Sequence, residues 1–214
     1  MSERVPDREK VITIVSGMPR SGTSMLMQML EAAGLEIHSD GERAADLDNP
    51  KGYFELEATK RISRDTSFLE RSRGKVVKIV APLLTLLPPD YTYRVIFIER
   101  DIDEVMDSQS VMIEHGNRGT GREAEDRALA RALEKRIKEA KDWLADSGNV
   151  EFCIVTHAGL LDAPMEACSR IVDFLERTGS IVAESWSQAD RQALRLRMAE
   201  VVDTKLYRQR RRSK

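Results

Sequence analysis

The sequence predicts an α/β protein in which helices cover both faces of a central, mostly parallel sheet, giving three layers. Short runs rich in Val and Ile alternate along the 214 residues with segments of helical periodicity. Strands buried on both faces read as such apolar runs, and their alternation with helices favours a parallel sheet. A glycine-rich turn joins the first run, Val11–Ser16, to an amphipathic segment. This order of strand, loop and helix makes the predicted fold P-loop-like.

Each predicted element follows from its local pattern. Strands are assigned to β-branched runs, and helices to segments whose apolar residues recur every three or four positions. Asp146-Ser-Gly148 is typical of a helix end, and Pro164 of a helix start. The predicted order is strand Val11–Ser16, helix Ser24–Ala33, a polar loop to Asn49, helix Glu55–Leu69, strand Val76–Val80, strand Arg94–Glu99, helix Asp103–Glu114, a loop with three glycines, helix Glu123–Asp146, strand Glu151–Thr156, helix Pro164–Thr178 and helix Gln188–Tyr207.

The longest predicted helix carries an apolar stripe along one face. The spacing of its members places them above one another on successive turns. We expect the whole stripe to belong to the core; it consists of Leu129, Leu133, Ile137, Ala140 and Leu144.

The loop after the first strand has the frame of a phosphate-binding loop. Residues Gly17–Ser24 read GMPRSGTS, in which two glycines let several backbone N–H groups and the helix N-terminus face one anion. Thr23 stands where a nucleotide triphosphatase has its lysine, and the cation is Arg20 inside the loop. The loop should therefore bind a phosphate, but it is poorly equipped to hold a β/γ-phosphate with magnesium.

A second candidate anion site follows the strand that ends at Glu99. Arg100 comes directly after this strand, and ligands of open α/β sheets bind beyond the carboxyl ends of the strands. Its guanidinium can hold a phosphate with two hydrogen bonds, and Ser108 would add a hydroxyl. Alternatively, Arg100 pairs with Asp101 or Asp103 at a helix start, and Ser108 is an ordinary helix residue.

Three segments together resemble the sulfotransferase family, whose members use 3′-phosphoadenosine-5′-phosphosulfate (PAPS). Pro19–Ser24 reads PRSGTS and is similar to the family's 5′-phosphosulfate loop, P-[KR]-S-G-T-[ST]. Arg100 and Ser108 have the spacing of the family's 3′-phosphate signature, although Ile102 replaces a proline that is common there. Asn49–Glu55 reads NPKGYFE and is similar to the N-P-x-G-[YF]-x-E segment of many bacterial sulfotransferase-like proteins.

The resemblance implies a site for PAPS and its product adenosine 3′,5′-bisphosphate (PAP), with no metal. Arg20 would stabilise charge on the leaving 5′-phosphate, because sulfuryl transfer depends on positioning and electrostatics as phosphoryl transfer does. Lys78 matches a family lysine that lies near the transferring sulfuryl group. Arg100 and Ser108 would bind the 3′-phosphate. The implied donor contacts in the loop are Pro19, Arg20, Ser21, Gly22, Thr23 and Ser24.

The group that deprotonates the acceptor is not the family's histidine, because Val80 occupies that position. Glu55 is the first candidate, since other branches of the family use a glutamate and Tyr53 and Phe54 would shield this carboxylate. An acidic residue at a helix start also complements the helix dipole, which is an equally good account of Glu55. His38 and Glu42, in the polar loop, are the second and third candidates.

Other chemically reactive residues are expected to be structural. Cys153 in a strand and Cys168 in a helix are predicted to be small core residues rather than a disulfide or a metal pair. His115 follows a helix and His157 follows a strand, so we expect capping or strand-end roles for them.

Composition predicts a soluble cytosolic protein of one domain, residues 1–214. The net charge is −2 with 33% charged residues, so no overall field favours nucleic acid or a membrane. The sequence also contains no apolar leader and no run of membrane-spanning length. Residues 208–214 form a basic tail that we expect to be solvated, although one of its arginines could contact a phosphate or a substrate anion. The acceptor is expected to be a small molecule or carbohydrate, and the sequence leaves open whether the protein forms a homodimer.

Two other functions remain open at this stage. One is a P-loop small-molecule kinase or nucleotide hydrolase, against which stand Thr23 in the lysine position and the absence of a clear magnesium-binding context around Glu99. The other is a non-catalytic nucleotide-binding scaffold, which the missing histidine and the short chain suggest.

Overall fold

A parallel four-stranded sheet lies at the centre of the part of the chain that the structure describes. The computed structural model describes residues 11–42, 52–115, 123–181 and 186–203, and only the backbone of 110–115 and 123–126. The strands lie in the order β2-β1-β3-β4. They are β1 (Val11–Gly17), β2 (Val76–Lys78), β3 (Thr92–Glu99) and β4 (Val150–Thr156).

Helices cover both faces of this sheet, which confirms the predicted α/β class. The described helices are α1 (Thr23–Ala32), a 3-10 helix (Glu57–Arg61), α2 (Phe68–Arg71), α3 (Ala81–Leu84), α4 (Ile102–His115), α5 (Glu123–Asp146), α6 (His157–Asp162), α7 (Pro164–Arg177) and α8 (Gln188–Glu200). In β1, Val15 packs with α1, α7 and α8, whereas Ile12 and Ile14 pack with α3 and α5 on the other face. Alternating residues of one strand thus belong to two cores.

The predicted helix Glu55–Leu69 is wrong as a continuous element. The chain forms the 3-10 helix Glu57–Arg61 and, after a turn, the four-residue helix α2. The Asp65 carboxylate accepts a hydrogen bond from the backbone N–H of Ser67 at 2.9 Å. Such local side-chain bonds offer the backbone an alternative to a helix, which explains the break.

Other element boundaries also differ from the prediction. The strand predicted to reach Val80 ends at Lys78, because Val80 is the N-cap of α3 and Pro82 lies in its first turn. Helix α6 was not predicted. The last helix was predicted to extend to Tyr207 but ends at Glu200, where the β-branched Val201 and Val202 pack against the core instead. Residues 204–214, including the basic tail, lie outside the described residues.

The apolar stripe of α5 is buried only toward its C-terminal end. Ala140 and Leu144 are 1% exposed, and Leu133 and Ile137 are partly buried. Leu129 is 42% exposed, so its assignment to the core is wrong. A helix of this length extends about 36 Å, longer than the roughly 26 Å of an eight-residue strand, so its N-terminal turns project beyond the sheet.

The last described strand of the sheet, β4, carries a side-chain bond along its outer side. Nη2 of Arg170, on α7, donates to the carbonyl oxygen of Ile154 at 2.9 Å. Cys153 in this strand is half-buried and Cys168 in α7 is buried, and both are free thiols. The described helices include none that is long and apolar enough to cross a membrane.

Candidate nucleotide site

The loop predicted to bind a phosphate lies at the carboxyl end of β1, against the end of β3. A Cβ at Gly17 would lie 2.6 Å from the carbonyl oxygen of Ile98, so only glycine allows the two strand ends to approach this closely. Gly22 adopts a φ of 101° and is the N-cap of α1 without any side-chain capping bond. The first N–H groups of α1 are therefore available to an anion.

Arg20 and Arg100 come together at this edge of the sheet. Arg20 has a left-handed backbone, with a φ of 71°. Its Nε donates to Oγ of Ser108 at 2.9 Å, and Nη1 of Arg100 donates to the carbonyl oxygen of Arg20 at 2.8 Å. The two cations thus extend from neighbouring strands into one network. Ser108 was predicted to bind a phosphate together with Arg100. In the structure, its hydroxyl accepts a hydrogen bond from Arg20.

Arg100 is held by a carboxylate of the following helix. Its Nε donates to Oε2 of Glu104 at 3.1 Å, and only 6% of its side chain is exposed. Asp101 has a different role, because its carboxylate accepts the N–H groups of Asp103 at 2.9 Å and Glu104 at 3.2 Å and so caps α4. The carboxylate that pairs with Arg100 is thus Glu104, and not Asp101 or Asp103 as the alternative account expected.

Lys78 and Glu55 form a second charged pair beside the loop. Lys78 ends β2, and its ammonium donates to the carbonyl oxygen of Tyr53 and lies 3.8 Å from Oε1 of Glu55. Oγ of Ser24 also donates to the Tyr53 carbonyl, at 3.4 Å. Phe54 has a φ of 52°, which turns the backbone between Tyr53 and Glu55. Tyr53 and Glu55 therefore contact the end of β2, and the Tyr53 carbonyl also contacts the start of α1.

The other two candidate bases have structural partners. Nδ1 of His38 donates to Oγ of Ser72 at 2.7 Å, because the Ser72 hydroxyl itself donates to the carbonyl oxygen of Phe68. The backbone of His38 bonds to Val76, at the amino end of β2, and burial lowers the pKa of the imidazole. Glu42 lies on an exposed turn, where its N–H donates to the Asp40 carboxylate.

The structure adds His157 to the site, which sequence reasoning had assigned to a strand end. His157 begins α6, directly after β4, and is 7% exposed. A Cβ at Gly22 would lie 2.7 Å from Cδ2 of the imidazole, so the ring rests on the phosphate loop. The available signal was its position after the fourth strand of a parallel sheet, at the same edge as Gly17 and Arg100.

The rest of the loop offers hydrogen-bond donors that suit a phosphate. Ser21 and Thr23 are buried, and the hydroxyl of Ser21 has no hydrogen-bond partner among the described residues. This hydroxyl and the open helix N-terminus are donors that a phosphate oxygen can accept from. Pro19 is exposed in the same loop. The loop therefore fits the phosphate group that the sequence predicts there.

Comparison with known proteins identifies the fold. No protein-family model and no curated protein sequence matches the chain. Among solved structures, it is similar to retinol dehydratase in a complex with retinol and PAP, with a TM-score of 0.51 and 19% identity over 96% of this chain and 71% of that chain. The chain therefore shares the overall fold of that structure. A sulfotransferase domain from the olefin synthase of Synechococcus PCC 7002 matches with a TM-score of 0.48 and 17% identity, over 80% of this chain and 76% of that chain.

Proposed function

We propose that this protein is a sulfotransferase that moves a sulfuryl group from PAPS to a hydroxyl or amine of a small-molecule or carbohydrate acceptor. The observation that carries the proposal is the hydrogen-bonded network of Arg20 and Arg100, which extends from adjacent strand ends beside an open helix N-terminus. Two cations in this arrangement suit a nucleotide with a phosphate at each side of its ribose.

The proposed transfer gives a role to the loop and to four charged residues of the site. Arg100 binds the 3′-phosphate, and the loop from Pro19 to Ser24 binds the 5′-phosphate. The acceptor oxygen or nitrogen forms a bond to sulfur while the bond from sulfur to the 5′-phosphate oxygen breaks. Arg20 stabilises the charge that develops on this leaving oxygen, and Lys78 the charge on the sulfuryl group. Glu55 takes the proton of the acceptor, and PAP leaves.

The direct test is mass spectrometry of a metabolite extract incubated with the protein and PAPS. We expect one or more metabolites to gain a sulfuryl group and PAP to accumulate. Stabilisation in a thermal-shift assay separates the alternatives. Stabilisation by PAP without magnesium supports the proposal, stabilisation only by ATP with magnesium indicates a kinase or nucleotide hydrolase, and PAP binding without transfer to any acceptor indicates a scaffold.

A further inference from the structure

His157 is a buried ionisable group that lies against the loop at Gly22 and that the proposed reaction does not use. It lies at the end of β4, and the parallel register brings the ends of β1, β3 and β4 to one edge of the sheet. Its Cδ2 would be 2.7 Å, and its Nε2 3.5 Å, from a Cβ at Gly22. The imidazole thus contacts the residue that caps α1, where the donor's 5′-phosphate is proposed to bind.

The charged groups around His157 belong to the hydrogen-bonded network that contains Arg20, Arg100 and Glu104. The Arg100 guanidinium at the β3–α4 junction disfavours a charged imidazole, whereas the Glu104 carboxylate on α4 favours it. From the loop, Arg20 is hydrogen-bonded to Arg100 through its carbonyl. Burial is the largest influence, and together these effects lower the pKa of His157 to about 4. The imidazole is therefore neutral at neutral pH in the protein without nucleotide.

We propose that His157 is a positioning residue of the nucleotide site that takes up a proton when a phosphate group binds to Arg100. The proposal rests on the PAPS function proposed above. A phosphate dianion on Arg100 offsets the positive charge that now opposes protonation of the ring. An imidazolium, with donors on both nitrogens, then adds a cation between the loop at Gly22 and Arg100 and attracts the phosphates of the bound nucleotide.

The decisive measurement uses the unaltered protein. NMR titration of the histidine Cε1–H resonances, with and without saturating PAP, gives the pKa of each of the three histidines. We expect the pKa of His157 to rise by at least one unit when PAP binds. His38, which is bound to Ser72 at the amino end of β2, is the internal control and should not respond. An unchanged His157 pKa under saturating PAP overturns the inference.

A variant separates proton uptake from a purely structural contact. His157→Gln keeps a side chain of similar size that cannot become charged, and His38→Gln is the matched control. PAP affinity is measured by calorimetry from pH 7.5 to 5.5, where protonation of PAP itself affects all variants equally. If the bound imidazole returns to its ordinary pKa, the affinity ratio of wild type to His157→Gln rises about tenfold over this range. A ratio that does not change with pH indicates a structural role only and refutes the proposal.

The two proposals fail in distinguishable ways. If PAP binds but neither the His157 titration nor the affinity ratio changes, only the inference about His157 is wrong. If PAP does not bind at any pH in this range, the PAPS function is wrong and the inference about His157 fails with it.

Discussion

Arg20 and Arg100 share a hydrogen bond but should affect different steps. Because Arg20 is placed at the leaving phosphate, Arg20→Ala should lower kcat by about 10²- to 10³-fold, with a smaller loss of PAP affinity. Arg100→Ala should instead lower PAP affinity by roughly 10- to 100-fold, the contribution of charged hydrogen bonds. Turnover measured with PAPS and affinity measured with PAP by calorimetry separate the two effects.

The exposed Arg64 supplies the control for both arginine variants. Arg64→Ala removes the same charge from the protein and should change neither quantity. Arg100→Ala should also reduce kcat somewhat, because Arg100 holds the carbonyl oxygen of Arg20. Unchanged PAP affinity in Arg100→Ala would refute the assignment of the 3′-phosphate to this residue.

Glu55 and Glu42 offer a matched test of the proposed base. Glu55 lies 3.8 Å from the Lys78 ammonium, whereas Glu42 lies on an exposed turn. Glu55→Gln should lower kcat by about 10²- to 10⁴-fold, since the amide cannot accept the proton, and PAP affinity should be retained. Glu42→Gln should retain full turnover. An active Glu55→Gln enzyme removes Glu55 from this role, and loss of activity in Glu42→Gln instead would transfer the role to Glu42.

At the scale of single elements, the turn into α1 depends on Gly22 for both conformation and space. Gly34, at the end of α1, has a similar left-handed backbone with a φ of 83°, but a Cβ there would meet no atom within 4 Å. Gly34→Ala should thus cost about 1 kcal/mol in the free energy of unfolding from backbone strain alone. Gly22→Ala should cost about 1–3 kcal/mol more, because its Cβ would clash with His157.

Urea unfolding of the two glycine variants measures the difference between their free energies of unfolding. PAP binding by the same variants shows whether the clash at Gly22 also affects the nucleotide site. We expect Gly22→Ala to lose PAP affinity and Gly34→Ala to retain it. Equal loss of stability in both variants would mean that a Cβ at Gly22 does not clash with His157, and would contradict the close contact between the loop and the ring.

Strand alternation was sufficient to predict the α/β class and the parallel sheet, and the loop pattern the turn from β1 into α1; that this loop binds a phosphate stays a prediction. Short helices were not predictable in this way, because the break at Asp65 depends on one hydrogen bond to Ser67 and α6 spans only six residues. The end of α8 was missed because the residues that follow it pack against other helices, which a local pattern does not show. Helical periodicity likewise does not reveal that α5 projects beyond the sheet near Leu129.

The site was predictable where a motif supplied its residues and not where tertiary packing did. Arg20 and Arg100 were identified from the sequence because one lies in a glycine-rich turn and the other follows a strand, whereas Lys78 was identified only from the resemblance to a family lysine. The partners of these cations, Glu104 and the Tyr53 carbonyl, were not identified, because the first depends on how α4 starts after β3 and the second on how Tyr53 lies against the end of β2. The location of His157 required the order of the strands.

For the whole molecule, the neutral state of buried His157 predicts a loss of stability in acid. The ordinary pKa of the group is 6.5 and its folded value is about 4, so the unfolded chain binds the proton more readily. The free energy of unfolding should therefore fall as the pH drops from 6.5 to 4, by about 3 kcal/mol from this group, and this term should be constant above pH 6.5. Denaturation at several pH values checks the slope.

His157→Gln supplies the comparison for acid stability. Carboxylates and His38 titrate in both proteins, so the difference between the two curves isolates His157. We expect the variant to lose less stability than the wild type between pH 6.5 and 4. Parallel curves would show that the imidazole is not kept neutral by folding.

The bond between Arg170 and the outer side of β4 has a consequence for behaviour at high concentration. A sheet whose last strand offers free carbonyl groups can recruit an extended segment of another molecule and grow into aggregates. The Arg170 guanidinium already donates a hydrogen bond to the Ile154 carbonyl. An approaching strand would have to displace this charged group or bury it away from water, and both are unfavourable. The same side chain that fastens α7 to the sheet therefore also protects the protein against intermolecular strand addition at this position.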